Sequence, residues 1–370
     1  MKTLLLLLLA ILFTAFAARM YHRKYHLLGD EWFARGEASF RSGDAAAALN
    51  DYRNALLYNP GNPSFQFHLA QALAGTGRGD EARAYFLNLL SESPGSGEIN
   101  LELARIAAHS GPKSVPEALR YYHAAIYGVW DTDPIAMRWR TRQEFCEYLL
   151  DNHVANHVEA EVIALTDNTS PDDPAEQKVA ANFLLRAQMW NRAQQEFQNL
   201  LVHDPHDQDA LAGAAIAEFH LAQYSRAAEF FDRLPPERRL ETDLARPYEV
   251  TRDIMDSSPF RAGLSADEKA ARTVSALTRA AANATACVQQ GTGAPPGSPS
   301  SSSLQSALAA NTRMAADWSM RNLRKFPDRI EPAMSSVFAL EDAAAQQCGE
   351  PHGGNYALWL LGRSRGVNAR

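Results

Sequence analysis

The chain has 370 residues, 46% hydrophobic and 21% charged, which is the composition of a folding chain with room for two domains. A formal net charge of −7, with both signs interspersed, argues against the basic surface that non-specific nucleic-acid binding needs. Three cysteines, Cys146, Cys287 and Cys348, with no CxxC or Cys/His pairing, argue against a structural zinc site or a disulfide-dense scaffold.

At the amino terminus Lys2 precedes an apolar run over residues 3–18, succeeded by Arg19, Arg23 and Lys24. The run is short for a bilayer span of about 20 residues. Ala15-Phe16-Ala17 fits the small-x-small cleavage pattern of a signal peptide. Residues 21–30 instead continue as polar helix into the first repeated segment, with no linker. Residues 1–20 are therefore expected to be an uncleaved signal anchor, with a cleaved signal peptide as the alternative. An export-type terminus places the rest of the chain on the extracytoplasmic side. The excess of Lys and Arg after the run favours the cytoplasmic face instead.

From residue 29 a period of 34 sets in. Gly43, Gly77 and Gly111 keep it, as do Ala48 and Ala82, Tyr52 and Phe86, Ala55 and Leu89, and Pro60 and Pro94. It returns with Ala193 and Ala227, Phe197 and Phe231, and Leu200 and Leu234. Such a period marks stacked helix-turn-helix units, none of which buries its apolar face alone. Small residues at Ala48 and Ala82 let helices approach closely, and Tyr52, Phe86 and Phe197 fill the gap between units. The prolines Pro60, Pro94 and Pro205 stop each second helix.

These positions resemble the tetratricopeptide repeat family. The first unit carries Trp32, Gly36, Gly43-Asp44, Ala48, Tyr52, Ala55 and Asn59-Pro60, and the second Leu69-Ala70, Gly77, Ala82, Phe86 and Pro94. The third has Leu103-Ala104, Gly111, Ala118, Tyr122 and Ala125, with two extra residues in its turn. A unit over 134–173 is degenerate. A fifth has Ala180-Ala181, Trp190, Ala193 and Phe197, and a sixth Ala214-Ala215, Tyr224, Ala227 and Phe231. The expected fold is all-α, an α-solenoid of about six helix-turn-helix repeats over 21–236, with a small helical bundle or cap over 237–370.

The resemblance implies a concave groove lined by the first helix of each unit. Carried over, its positions are Phe33, Glu37, Phe40, Arg41, Phe67, Gln71, Leu101 and Arg105 in the amino-terminal units. Lys178, Asn182, Arg186, Phe219 and His220 are their counterparts in the fifth and sixth. Aromatics mixed with a few charges suit a peptide. Packing of Phe33 and Phe67 on the neighbouring helix is the alternative. Lys178 and Asn182 match half of a carboxylate clamp found in some relatives, but Gly213 stands where its second Asn belongs, so tail binding is not expected.

Other leads read as structure. Gly75-Thr76-Gly77-Arg78-Gly79-Asp80 sits at the repeat turn and comes after no strand, unlike a phosphate loop. His153 and His157 are four apart, but a helix is expected to end after Asp151-Asn152. No GxSxG, HExxH or Walker pattern occurs. No cofactor or metal is expected.

Beyond Pro235-Pro236, Ser265-Ala266-Asp267-Glu268 reads as a capping box opening a long helix. Residues 291–303, rich in Gly, Pro and Ser, read as a flexible loop. Next comes a helix with Leu304, Leu308 and Trp318, then one with Ile330, Met334, Val337 and Phe338, and a short one over 356–361. Cys287 and Cys348 lie near helix ends and are candidates for a disulfide, with two separate buried thiols as the alternative.

The expectation is a membrane-tethered, non-enzymatic scaffold that binds a protein or peptide partner, with no nucleic acid. The alternative is an enzyme or assembly factor whose carboxy-terminal helices carry the activity while the repeats select partners.

Overall fold

The computed structural model describes residues 2–290, 299–315 and 317–367, with the side chains of 2–10, 21–23, 290, 299–303 and 367 outside the described set. It is helical throughout. Among the described residues β-type pairing is limited to a parallel bridge between Ser96 and Val129. The chain forms two compact units, Met1–Asn168 and Thr169–Arg370.

Unit 1 runs through α1 (Lys2–Arg41), α2 (Ala45–Tyr58), α3 (Pro63–Gly75), α4 (Gly79–Glu92), α5 (Gly97–His109), α6 (Val115–Ile126), α7 (Pro134–Asp151) and α8 (Ala155–Asp167). The carboxy-terminal half of α1 pairs with α2, α3 with α4, and α5 with α6. The degenerate segment is a helical pair as well, α7 with α8. One continuous core joins these helices, with Tyr52, Leu69, Leu73, Phe86, Leu103, Phe145 and Leu149 buried in it.

The helix boundaries have local causes. Asp44, Asn62, Ser96 and Asp133 cap α2, α3, α5 and α7 by accepting from backbone N–H groups in the first turn. Each of those caps begins a helix just after the preceding one has stopped. α1 is unbroken from the apolar run into the first repeat. Among the described residues no helix is long and apolar enough to cross a membrane. The first half of the expected leader lies among the undescribed side chains.

The turn inside each pair repeats one backbone device. Gly43 and Gly77 have φ of 84° and 78°, and the equivalent residues of later units, His153, Gln188 and Ala222, have φ of 53°, 58° and 58°. The Gly77 amide bonds to the Ala74 carbonyl (3.0 Å) and the next amide, Arg78, reaches back to the Leu73 carbonyl (2.9 Å). Gln188 with Met189, and Ala222 with Gln223, make the same pair of bonds. This is the left-handed helix stop that satisfies the last orphan carbonyls. Gly111 departs from it (φ 88°, ψ −176°) and leads into a 3₁₀ turn, Pro112–Ser114, which absorbs the two extra residues.

Unit 2 contains α9 (Pro174–Arg186), α10 (Trp190–His203), α11 (Gln208–His220) and α12 (Tyr224–Arg233), the last two regular repeats. Beyond them lie α13 (Pro236–Arg239), α14 (Ala245–Ser257), α15 (Ala266–Gln290), α16 (Pro299–Met314), α17 (Met320–Lys325), α18 (Ile330–Cys348) and α19 (Gly354–Val367). The compact units thus divide at residue 168 and not at 236. The reason is packing: Phe231 of α12 meets Tyr248 of α14 edge-on at 5.5 Å, and Tyr224 belongs to the core built by α15, α18 and α19.

Other boundaries differ from the sequence reading too. Of the expected loop over 291–303, residues 291–298 lie outside the described residues, and 299–303 belong to α16, which Pro299 opens at the position where proline is tolerated. Trp318 comes after α16 and is not part of it, although it is buried. The last helix extends to Val367. Ser265 and Glu268 form the reciprocal capping box at the start of α15. Cys287 of α15 and Cys348 of α18 are joined as a disulfide, their Cα atoms 6.1 Å apart. Cys146 is a buried thiol in α7 whose pKa burial pushes up to about 12.

Candidate functional site

Unit 1 contains a cavity of about 890 Å³. It is lined by residues of α3, α4 and α5, by the 93–96 connection, by the 129–131 segment and by Met137 of α7. Phe67 of α3 lines it and rests edge-on against Phe86 of α4, with ring centres 5.4 Å apart. Gln71, Leu101 and Arg105 line it as well, Leu101 from a buried position.

The end wall is built from glycine and tryptophan. Val129 donates to the Gly95 carbonyl (2.7 Å) and accepts from the Gly97 amide (2.8 Å). Trp130 then packs against Gly97 at the start of α5, and its indole N–H donates to the Ala125 carbonyl of α6 (3.0 Å). A Cβ at Gly97 would fall against the indole ring, and one at Gly128 would press on the Gly97 backbone. Sequence reading missed Gly97, Gly128 and Trp130. The signal was the irregular run Gly128-Val129-Trp130-Asp131-Thr132-Asp133-Pro134, which no tetratricopeptide turn accounts for.

A polar ladder crosses the inner helices. In the first repeat, Tyr52 donates to Glu37 Oε1 (2.6 Å), and His68 of the second stands 3.5 Å from the same oxygen. Gln71 donates to Glu102 Oε1 at 3.0 Å, and Arg105 donates to that oxygen at 3.0 Å. The Arg105 guanidinium also grips Glu144 of α7 with two nitrogens, at 2.9 and 2.7 Å, in the fork geometry that gives strong ion pairs. Tyr122 closes the ladder by donating to Glu144 (3.1 Å). Burial, reinforced by the adjacent Glu37 and Glu144 carboxylates, pushes both tyrosine pKa values far up, so the phenols remain donors. The Glu144 hydrogen bond raises the Arg105 pKa against the opposing effect of burial.

Four of the eight sequence-derived groove positions, Phe67, Gln71, Leu101 and Arg105, meet at the cavity. The others do not line it. Phe33 stacks on Phe65 of α3 (4.7 Å between centres) and lies near Tyr52 and His68, so it packs the neighbouring helix. Phe40 is half-buried against the core. Glu37 is held by Tyr52, and Arg41 is exposed at the end of α1 with its guanidinium turned back to the Glu37 carbonyl. The physical reason is register. The first repeat begins inside the long α1, and its inner face is covered by α2 and α3.

In unit 2 the half-clamp is otherwise engaged. Lys178 Nζ sits 2.8 Å from Asp207 and 3.6 Å from Asp209 at the start of α11, and the Asp207 bond raises its pKa. A side chain at Gly213 would collide with the Phe197 ring, which occupies the place of the missing Asn. His220 stacks on Trp190 at 3.9 Å, and desolvation lowers its pKa. His153 lies in the left-handed turn after α7, and His157 is on α8, so the two do not share a helix. Among the described residues no group of three metal-ligating side chains converges.

Family models described as tetratricopeptide repeat match residues 33–97 and 184–246. No curated protein matches the chain. Among solved structures, the chain is similar to a tetratricopeptide repeat protein from Parabacteroides merdae ATCC 43184, at 13% identity and a TM-score of 0.40, covering 67% of this chain and 92% of that one. It is also similar to PilW, a widely conserved type IV pilus biogenesis factor, at 17% identity and a TM-score of 0.41, covering 59% and 97%. A third is YrrB, a tetratricopeptide-repeat protein with an unusual peptide-binding site, at 15% identity and a TM-score of 0.38, covering 53% and 95%.

Proposed function

This chain belongs to the tetratricopeptide-repeat proteins, and from that premise we propose that it is a non-enzymatic adaptor that holds a segment of a partner protein in the groove of unit 1. One observation supports this above the rest. The cavity between α3 and α5 is large enough for side chains of a partner, and the polar groups that cross the inner helices are already fixed by one another. A preorganised wall spends little ordering entropy on binding. Repeat arrays expose such curved faces because each unit contacts only its neighbours.

The amino-terminal apolar run serves as a tether in this reading. The supporting features are the apolar residues 3–18 and the unbroken helix that carries them into the first repeat. A tether confines the search for partners to the membrane surface and raises their effective concentration. The repeats face the extracytoplasmic side, in a bacterial envelope.

Site-directed photo-crosslinking in cells tests the groove. A benzophenone amino acid at Gln71 is expected to give a discrete adduct, and one at the exposed Leu87 of α4 is not. Adducts from Leu87 alone would move the working surface to the outer face and end this reading. Topology is tested by Ser91→Cys. Labelling by an impermeant maleimide in intact cells supports the extracytoplasmic side, and labelling only after lysis excludes it.

A further inference from the structure

The charges around the cavity are lopsided. Glu92, Glu98, Glu102 and Asp131 line it, against the Arg105 guanidinium. Arg105 is already committed to Glu102 and to both oxygens of Glu144. Glu92, Glu98 and Asp131 are exposed at the rim, and no ion pair or side-chain hydrogen bond engages them among the described residues. The rim therefore carries net negative charge, offset only in part where Glu98 stands in the first turn of α5. Apolar residues line the same cavity: Leu89, Ile99, Leu101 and Trp130 are buried, and Phe67 and Met137 half-buried. The volume falls within the ~300–1,000 Å³ typical of pockets that enclose a ligand.

We propose that the occupant of this cavity is a short partner segment in which a Lys or Arg stands next to a large apolar side chain. This rests on the groove reading above and specifies its chemistry. The apolar side chain fits between Phe67, Leu101 and Trp130, and the cation reaches the rim carboxylates. Complementary charge at an exposed rim sets specificity and association rate, and salt screens it. An acidic tail meets like charge and is rejected.

Fluorescence anisotropy with the full chain in detergent tests this. The probes are labelled decapeptides alternating Leu with Lys, Leu with Glu, and Leu with Gln. The Leu/Lys probe is expected to bind most tightly, to weaken as salt rises, and to lose about tenfold in affinity with combined Glu92→Gln, Glu98→Gln and Asp131→Asn. All three side chains are exposed, and thermal melts of the variant confirm that it folds. A second variant, Asp30→Asn, Asp80→Asn and Glu159→Gln, makes the same change in net charge elsewhere on unit 1 and is expected to leave binding unchanged. Equal binding of the Leu/Glu probe, or equal losses in the two variants, overturns the proposal. The crosslinking result separates this from the parent reading. If Gln71 captures a partner and rim neutralisation leaves that capture intact, the charge inference alone falls. If Gln71 captures nothing, the groove itself is wrong.

Discussion

Glu341 is a carboxylate with no exposed surface, in the middle of α18. Asn283 of α15 donates to one of its oxygens at 2.8 Å, and the other has no hydrogen-bond partner. Desolvation pushes its pKa up to about 7, against smaller opposing effects of Asn283 and Arg279. Unfolded, the group titrates near its ordinary 4.5. Between those values the folded state holds a proton that the unfolded state has released, so stability is greatest below the window and falls as pH rises through it. The full effect is on the order of 3 kcal/mol. Glu341→Gln replaces the titrating carboxyl with a neutral amide, so the wild type is expected to lose more stability than the variant between about pH 5 and pH 8 in urea melts. Parallel curves would show that the carboxyl does not hold its proton. A second residue-scale test concerns the left-handed turn. Ala222 occupies it with φ 58°, a conformation that costs an L-residue about 1–2 kcal/mol and glycine almost nothing. Glycine gives part of that back through the entropy of the unfolded chain. Ala222→Gly should raise stability in denaturant melts by up to about 1 kcal/mol, and Gly77→Ala should lower it by a similar amount, because a Cβ at Gly77 meets nothing within 4 Å and only the backbone resists.

At the scale of elements, the helix pairs were readable because two constraints recur together. A small residue must sit where two helices cross, and the turn must pass through positive φ. Where glycine fills the turn, as at Gly43 and Gly77, the sequence announces it; where His153, Gln188 or Ala222 fills it, tertiary packing enforces the same backbone without a signature. The end wall of the cavity was not readable for a related reason. It depends on Gly97 yielding space to an indole 33 residues further on and on Gly128 yielding space to the Gly97 backbone, pairings that no local pattern encodes. Of the positions carried over by resemblance, those in α3 and α5, where the helices keep repeat register, line the cavity. In α1 they do not line it: Phe33 packs on Phe65, Glu37 is held by Tyr52, and Arg41 is exposed at the helix end. Gly97→Ala tests the wall. The added methyl overlaps the Trp130 ring, and overpacking of this kind costs about 1–3 kcal/mol. The expected result is a lower melting temperature, with Trp130 fluorescence shifted to the red as the indole leaves its buried seat. An unchanged melting temperature and spectrum would mean that Trp130 does not pack against α5.

At the scale of the whole chain, the two units are secured differently. Unit 1 relies on its repeated core and on ion pairs that link successive inner helices, such as Arg105 with Glu144. Unit 2 adds a covalent link across its carboxy-terminal helices. Cys287 and Cys348 close a loop with a sequence separation of 61, and residues 291–298 lie within it. Under the chain-entropy account a loop of that length contributes about 4 kcal/mol, by limiting the unfolded ensemble. Its loss should be felt first where α15 and α18 pack, because Ala280, Ala284, Val337 and Leu340 form one core beside the bridge. Hydrogen exchange locates the effect. With Cys287→Ser and Cys348→Ser together, amides in α15 and α18 should exchange at least about tenfold faster, with those in α3 and α5 unchanged, since unit 1 carries none of the constraint. Uniform acceleration in both units would show that the bridge stabilises the chain as one cooperative body. No change in α15 and α18 would show that their side-chain core alone holds them together.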